Sequence, residues 1–336
     1  MGGGSGRRFW PFSRKQLPKQ FLDFFDNGRT LLQQAYDRYR EIIPLRNIYV
    51  TTNIIYRDIA MAQLPELSPE QFIFEPTRKS TAPGIAWACS QIRDKCPEAN
   101  IVIAPCDHLI RDEKNFSRCI RRGLEYVSTH DCLLTLGIKP DRPVTGYGYL
   151  QVGNEQDQQD FYRVKTFVEK PEIEFARTFV ESGEFYWNSG IFLWNVKTIM
   201  RAYAKYMPMV DLSGSTDTFS SCPNISVDYG IMEMADNVCT QLCDFGWADV
   251  GTWESLYELT PKDESGNAVA KGQAFTYGSH DNMIALPEGN MAVIQGLEGY
   301  VVTYNNGVLL ICEKDEAQSV RKYYNDVILK TGERFK

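Results

Sequence analysis

Residues 2–11 read GGGSGRRFWP, so a loop of four glycines and one serine runs directly into two arginines. Glycine has no Cβ, which lets consecutive backbone N–H groups approach an anion closely, and the arginines add fixed positive charge. The loop therefore suits a triphosphate, and a flexible glycine-rich segment is the alternative interpretation. The residues predicted to bind a nucleotide in this loop are Gly3, Gly4, Ser5, Gly6 and Arg7.

The spacing of the loop argues against two commoner phosphate-binding motifs. A dinucleotide-binding motif would need a third glycine where Arg7 or Phe9 stands. A P-loop would need a Gly-Lys-Ser/Thr run, which the sequence lacks. An NAD-dependent oxidoreductase is therefore the least favoured class of enzyme.

The composition of the 336-residue chain is that of a globular enzyme, with 43% hydrophobic residues, and its net charge of −7 argues against a nucleic-acid partner. No stretch approaches the roughly 20 apolar residues that span a bilayer, so no membrane association is expected. Nine cysteines without a C-x-x-C pair indicate a reducing, cytoplasmic location. Half a zinc site at Cys239 and Cys243 is less favoured, because no second ligand pair has a usable spacing.

Short apolar runs alternate with helical patterns over the first two-thirds of the chain, which predicts an α/β fold with a mixed, mostly parallel sheet. The predicted strands are 47–51, 71–75, 100–105 and 131–138, and helices are predicted around 31–43 and from Thr81. From about Gly266, short β-like runs at 282–286, 291–294, 300–304 and 308–312, separated by glycine and asparagine, precede a helical tail that starts at Glu316. We predict a catalytic domain over 1–265 and a small C-terminal domain over 266–336 that packs against it.

The glycine loop and the residues after it resemble the sugar nucleotidyltransferase family. The family's Gly-Gly-x-Gly-x-Arg signature and its continuation match Gly3, Gly4, Gly6, Arg8, Pro11, Ser13, Pro18 and Lys19. The runs FWP at 9–11 and KQFL at 19–22 are similar to the mannose-1-phosphate guanylyltransferase branch of that family. The resemblance implies a Rossmann-like (GT-A-like) fold, with Arg8 and Lys19 as catalytic residues that hold the reacting phosphates.

Residues 75–83 read EPTRKSTAP and resemble the branch's E-P-x-x-R-N-T-A-P motif, with Lys79 and Ser80 in place of arginine and asparagine. The resemblance implies that Glu75, Arg78 and Lys79 bind the nucleotide. Glu75 can accept from guanine N1–H and from the exocyclic amine, although a solvated glutamate at a strand end is the alternative. Lysine is a point charge and arginine a planar fork, so Arg78 would have to supply the fork that Lys79 lacks.

Two aspartates resemble the family's ligands for Mg²⁺. Asp107 lies in the run APCDH at 104–108, which is similar to the family's P-x-D-H motif, and Asp249 resembles the second metal-binding aspartate. Mg²⁺ takes oxygen ligands and commonly binds one or two carboxylates beside substrate phosphates. For either aspartate alone, a helix cap is the better interpretation, but the family order favours a metal site.

Three further motifs, GYGY at 146–149, FVEKP at 167–171 and WNSGIF at 187–192, resemble the family's sugar-binding segments. The predicted sugar-phosphate-binding residues are Gly148, Glu169, Lys170, Asn188 and Gly190. Carboxylate and amide groups suit hydrogen bonds to sugar hydroxyls, and a lysine suits the phosphate. Each motif in isolation is better explained by a turn or a surface ion pair, whereas their joint order favours the site.

The resemblance implies transfer of GMP from GTP to α-D-mannose 1-phosphate, which yields GDP-mannose and pyrophosphate with Mg²⁺ as cofactor. Two alternatives stay open: a nucleotidyltransferase for another sugar phosphate or base, and a catalytically silent subunit that binds nucleotide sugars. In the family an apolar strand precedes the glycine loop, and Met1 stands where it would end, so we expect the first strand to be missing. The resemblance also implies a short C-terminal β-helix for packing or dimerisation, which allows a homodimer.

Overall fold

The computed structural model describes residues 1–4, 6–158, 160–210 and 216–335. Its strands are β1 (Val50–Asn53), β2 (Phe72–Glu75), β3 (Asn100–Ile103), β4 (His108–Ile110), β5 (Leu133–Ile138), β6 (Gly148–Gln158), β7 (Phe161–Glu169), β8 (Phe185–Asn195), β9 (Val238–Cys243), β10 (Trp247–Asp249), β11 (Ala268–Lys271), β12 (Gln273–Tyr277), β13 (Met283–Ala285), β14 (Met291–Gln295), β15 (Tyr300–Asn305) and β16 (Val308–Glu313). Its α-helices are α1 (Leu31–Arg40), α2 (Arg57–Gln63), α3 (Thr81–Lys95), α4 (Glu113–Thr129), α5 (Ile173–Ser182), α6 (Val196–Tyr206), α7 (Thr216–Phe219), α8 (Trp253–Leu259) and α9 (Val320–Thr331). None of the helices in these ranges is long and apolar enough to cross a bilayer.

The main sheet contains six strands in the spatial order β3, β8, β5, β9, β7, β6. β8 lies antiparallel between β3 and β5, and β6 and β7 form an antiparallel pair. Among the described strands of this sheet, only β5 and β9 pair in parallel. The mixed α/β fold is thus confirmed, but the expected excess of parallel pairs is wrong, because β8 returns between two strands that run in the same direction.

Helix α4 shows how the sequence builds the layer beside the main sheet. Asp112 caps its first turn by accepting from the N–H of Asn115 at 2.9 Å. Phe116 and Ile120, four residues apart, are both fully buried on the face toward the sheet. At Gly123 a Cβ would lie 2.9 Å from a leucine methyl group of β8, so glycine lets the helix pack closely on that strand.

β1 and β2 form a separate, parallel two-stranded sheet beside the main sheet. A cavity of about 590 Å³ lies between the two sheets and is lined by residues of β1 and β3. The N-terminal residues close one end of it: the Met1 amino group donates to Ala104 O (2.7 Å), and Gly2 N donates to Thr51 O (2.8 Å). Each of β1 and β3 pairs with a described strand along one edge only.

The strands after α8 alternate between two small sheets. One contains β11, β13 and β15 in parallel with β16 antiparallel at its edge, and the other contains β12 and β14 in parallel. Asn267 and Asn282 are buried inside this region, where Asn282 Nδ2 donates to Asn267 Oδ1 at 2.9 Å. β13 to β16 match the four β-like runs predicted from the sequence, whereas β11 and β12 were not predicted, and the helical tail follows as α9.

The N-terminal segment and the C-terminal region share one hydrophobic core. Phe9 and Trp10 pack in it with Trp253, Val301 and Tyr324. The expected packing between the two parts of the chain is therefore observed, whereas the boundary at 265/266 stays a prediction.

Candidate active site

The glycine loop is held by the segment that follows it. Gln20 donates from Nε2 to the carbonyl oxygens of Gly2 (2.7 Å) and Gly4 (2.9 Å). The described residues offer no hydrogen-bond acceptor to the N–H groups of Gly3 and Gly4. These two donors are therefore available to an anionic ligand. Ser5 lies outside the described residues.

Gly6 has a conformation and surroundings that only glycine tolerates. Its φ is 60°, in the left-handed region, and a Cβ there would collide with Ser13 Oγ and lie 2.7 Å from the backbone nitrogen of Lys19. The signature glycine thus allows the loop to turn directly onto the segment that carries Lys19.

Lys19 lies between the two predicted metal ligands. Its Nζ is 2.7 Å from Asp107 Oδ2 and 4.0 Å from Asp249 Oδ1, and it donates to Val250 O at 2.8 Å. Burial by itself lowers the pKa of Lys19, but the two carboxylates outweigh burial and raise the pKa. Burial likewise acts to raise the pKa of Asp107, yet Lys19 brings it down to about 2. Lys19 and Asp107 therefore form a charged pair at neutral pH.

The antiparallel pair of β4 and β10 brings the two aspartates together. His108 lies opposite Asp249 in the register, and Val250 N donates to Asp107 O at 3.2 Å. Ligand atoms of Asp107, His108 and Asp249 lie within 4.8 Å of one another. His108 is buried, which lowers its pKa, and its Nδ1 accepts from Trp247 Nε1 at 3.2 Å.

This group fits a hard divalent cation, because its two carboxylates supply the oxygen ligands that Mg²⁺ prefers. Neither aspartate caps a helix: the N-caps of the nearby helices α4 and α8 are Asp112 and Thr252. Within the described ranges, Cys239 and Cys243 belong to no three-residue group of metal-ligating side chains.

Glu75 ends β2 as a buried carboxylate beside the glycine loop. Its exposed fraction is 5%, and Thr51 Oγ1 donates to its Oε1 at 3.4 Å. A Cβ at Gly84 of α3 would collide with the same oxygen, so glycine makes room for the carboxylate. Burial raises the pKa of Glu75 to about 7 against the opposing effects of Thr51, the chain's amino terminus and Arg78. The alternative of a solvated glutamate is wrong.

The predicted cations around the loop have different surroundings. Arg7, Arg8 and Arg78 are exposed and form no ion pair with a described carboxylate. Lys79 instead donates from Nζ to Cys222 O at 2.8 Å. Its ammonium therefore has a structural partner, and its role as a nucleotide ligand stays a prediction.

The predicted sugar-site residues form a row across β7, β6 and β8. Gly148 pairs in the register with Glu169 on one side and with Asn188 on the other. A Cβ at Gly148 would lie 2.6 Å from Glu169 Oε2 and 3.3 Å from Asn188 Cβ. Any larger residue at this position would therefore collide with the Glu169 side chain. Asn188 Oδ1 accepts from Thr135 Oγ1 (2.8 Å) and from the N–H of Gly190 (3.1 Å), which fixes the amide.

Asp228, which the sequence reasoning missed, joins this row from a π-helical turn over Asp228–Met232. Asn188 Nδ2 donates to Asp228 Oδ1 at 3.0 Å, and Lys170 forms an ion pair with Glu169. Burial lowers the pKa of Lys170, Asp228 partly raises it and Arg8 lowers it again. Charges from the glycine loop and from the sugar row therefore act on the same lysine.

A family model described as nucleotidyl transferase matches residues 1–266. The chain belongs to the nucleotidyl transferase family. A mannose-1-phosphate guanylyltransferase of Escherichia coli is 33% identical over 344 residues, which cover 96% of this chain and 73% of the relative. One of Klebsiella pneumoniae is 34% identical over 342 residues, which cover 96% of this chain and 72% of the relative.

The fold of this nucleotidyl transferase is also found in a solved structure. The crystal structure of a mannose-1-phosphate geranyltransferase from Thermus thermophilus has a TM-score of 0.88 to this chain, with 27% identity and 97% coverage of both chains. The predicted family, its mannose-1-phosphate guanylyltransferase branch and the enzyme class are confirmed. The predicted function agrees with the names of these relatives.

Two residues of the nucleotidyl transferase site, His108 and Asp228, were given no role from the sequence. His108 stands inside a recognised motif, but its packing on Trp247 depends on the pairing of β4 with β10. Asp228 belongs to none of the motifs quoted from the sequence, so only the fold shows that it contacts Asn188. The chain has 43 acidic residues, and no motif in the sequence marks Asp228 among them as the partner of Asn188.

Proposed function

We propose that the chain transfers GMP from GTP to α-D-mannose 1-phosphate and releases pyrophosphate. The observation that carries this proposal is the group of Lys19, Asp107 and Asp249 directly beside the glycine loop. The names of the relatives supply the substrates, and the loop with its arginines supplies a place for a triphosphate.

The reaction needs no protein nucleophile. An oxygen of the sugar phosphate attacks the α-phosphorus of GTP in line, and the bond from that phosphorus to its bridging oxygen breaks. The bridging oxygen keeps the electron pair and leaves with pyrophosphate. Asp107 and Asp249 would hold Mg²⁺, which supplies Lewis-acid polarisation of phosphate oxygens. The N–H groups of Gly3 and Gly4 and the guanidinium of Arg8 stabilise the negative charge on the departing phosphates.

Different side chains recognise the guanine base and the sugar phosphate. Glu75 accepts from guanine N1–H and the exocyclic amine, donors that adenine does not present in this arrangement. Glu169 and Asn188 accept from and donate to sugar hydroxyls, while Lys170 binds the sugar phosphate. The fixed amide of Asn188 favours a preorganised sugar site.

The experiment is a pyrophosphate-release assay with Mg²⁺ that crosses GTP, ATP and UTP with mannose 1-phosphate and glucose 1-phosphate. We expect release with GTP and mannose 1-phosphate and little with the other pairs. Preference for another pair would replace the substrates within the same family. No release from folded protein that still binds GDP-mannose would favour the catalytically silent subunit.

We also propose that the cavity between β1 and β3 accommodates one further extended strand. The two strands carry unpaired edges on either side of it, and the backbone of Met1 and Gly2 already bridges their ends. A strand there would join β1 and β2 to the main sheet and satisfy both edges.

The small C-terminal sheets support two further proposals. Alternation of successive strands between two parallel sheets is the arrangement of a short β-helix. The sheet of β12 and β14 exposes four apolar side chains on one face: Phe275, Tyr277, Met291 and Val293. Contiguous apolar surface of this kind marks an interface, so we propose that this face forms the homodimer. A cytoplasmic location stays a prediction.

A further inference from the structure

Helix α9 of the C-terminal region packs directly on the turn that follows the glycine loop. The ring of Tyr324 meets the Trp10 ring edge-to-face at 6.0 Å, and the guanidinium of Arg7 lies 5.4 Å from the centre of the same ring. Trp10 Nε1 also donates to Phe335 O at 3.0 Å. Contacts of Tyr324 within α9 and of Phe335 after it therefore fix the helix relative to the loop.

Arg321 stands three residues before Tyr324 on this helix, with its side chain exposed. Partial burial lowers its pKa, and the positive charges of Arg8, Arg7 and Arg78 lower it further. Arg321 and Tyr324 lie one helical turn apart on the same face of α9, and Tyr324 contacts Arg7, so Arg321 stands beside the two arginines that end the glycine loop. Arg78 adds a further positive charge to this group.

None of these four arginines forms an ion pair within 4.0 Å with a carboxylate of the described residues. The chain has 43 acidic and 36 basic residues, so a shortage of carboxylates does not explain the cluster. Like charges repel one another, and an anion bound among the four arginines would offset this repulsion. A polyphosphate carries several negative charges over a few ångströms and matches planar guanidinium forks.

We propose that Arg321 is a ligand for the terminal phosphates of the nucleotide and for the pyrophosphate that leaves. The proposal rests on the proposed function for the identity of the polyphosphate, but the cluster itself requires only a polyphosphate. It makes the C-terminal helix part of the active site rather than a packing element alone.

Inorganic tripolyphosphate tests the ligand role independently of base and sugar. We expect Arg321→Ala to weaken tripolyphosphate binding about tenfold in calorimetry, the scale of one lost charge-assisted contact. The control is Lys322→Ala, which removes an exposed positive charge at the next position of α9 and should leave binding within about twofold. Equal binding by both variants, or no tripolyphosphate binding by the wild-type chain, would overturn the proposal.

The reverse reaction locates the contact within the site. In Arg321→Ala the KM for pyrophosphate should rise about tenfold, while the dissociation constant for GDP-mannose, which lacks the terminal phosphate, stays unchanged. Weakening of both ligands would show a general loss of the site and overturn the assignment. If substrates other than GTP and mannose 1-phosphate prove correct, the proposed function fails while the tripolyphosphate result still decides the role of Arg321.

Discussion

Glu75 is a carboxylate whose surroundings favour its neutral form. The groups that face it are Thr51, the amino terminus at Met1 and Arg78, and burial outweighs all three. Its pKa in the folded chain, about 7, lies above the ordinary 4.5, so its stabilising effect is complete below pH 4.5 and is lost as pH rises through 7. Ionised Glu75 therefore weakens the fold at the pH where it would bind guanine.

A Glu75→Gln variant should separate stability from recognition. The variant stays neutral, so its free energy of unfolding should exceed that of the wild-type chain by an amount that grows to about 3 kcal/mol above pH 8. Its KM for GTP should rise at the same pH, because an amide accepts from guanine less well. Denaturant unfolding between pH 5 and 9 measures the first effect, with the exposed Glu70→Gln as control. A pH-independent difference would contradict the assignment.

Arg8 and Asp249 are the single side chains on which we expect turnover to depend most. Removing one preorganised electrostatic group costs at least ~100-fold in kcat, so we expect this loss for both Arg8→Ala and Asp249→Asn. Asp244→Asn is the matched control for the aspartate, since it removes an exposed carboxylate from the same segment. Near-normal kcat in a folded Asp249→Asn protein would remove Asp249 from the site.

The sequence motifs predicted which residues lie in one site better than they predicted the contacts of each side chain. The structure brings Gly6, Lys19 and Asp107 together: the backbone of Gly6 approaches that of Lys19 too closely for a Cβ, and Lys19 pairs with Asp107. The Lys79 bond to Cys222 O could not be predicted. It depends on a loop that lies far away in the sequence.

The buried asparagine Asn282 connects three segments of the C-terminal strands by hydrogen bonds, so its removal should lower the stability of this region. Asn282 donates to Asn267 Oδ1 (2.9 Å) and Leu297 O (2.8 Å), and accepts from Tyr300 N (2.9 Å). Asn282→Ala removes three hydrogen bonds and leaves Leu297 O and Tyr300 N without this partner, so we expect a loss of about 2–4 kcal/mol in the free energy of unfolding. Asn290→Ala, at an exposed asparagine, should change it by less than about 0.5 kcal/mol. Comparable losses in both variants would show that the buried bonds contribute little.

Element bounds were predictable where apolar runs were punctuated by glycine or asparagine. The predicted runs at 300–304 and 308–312 correspond to β15 and β16 within a residue, because the turn between them contains Asn306 and Gly307 in left-handed conformations. The order of strands in the main sheet was not predictable in the same way. It is set by which faces of β8 and β5 pack together, and both strands are apolar throughout most of their length.

At the scale of the whole molecule, we expect two copies of the chain to associate through the exposed apolar face of β12 and β14. Val293→Asp places a charge on the face, next to Phe275 in the register, so we expect it to shift a dimer toward monomer in light scattering. Leu329→Asp, at an exposed leucine of α9, is the control and should leave the mass unchanged. A monomeric wild-type chain would contradict the proposed homodimer without affecting the active site.

A strand inserted into the cavity between β1 and β3 would join the two sheets, so we expect an apolar extension that fills the cavity to stabilise the protein. A five-residue apolar extension before Met1 would bury side chains worth about 1.5–3 kcal/mol each, against about 1–2 kcal/mol per residue for ordering its backbone. The net gain of a few kcal/mol should raise Tm by about 3–6 °C. A Gly-Ser extension of equal length is the control and should leave Tm unchanged, since it offers no apolar side chains to the cavity. Equal Tm values for the two extended proteins would show that the unpaired edges do not accept a strand.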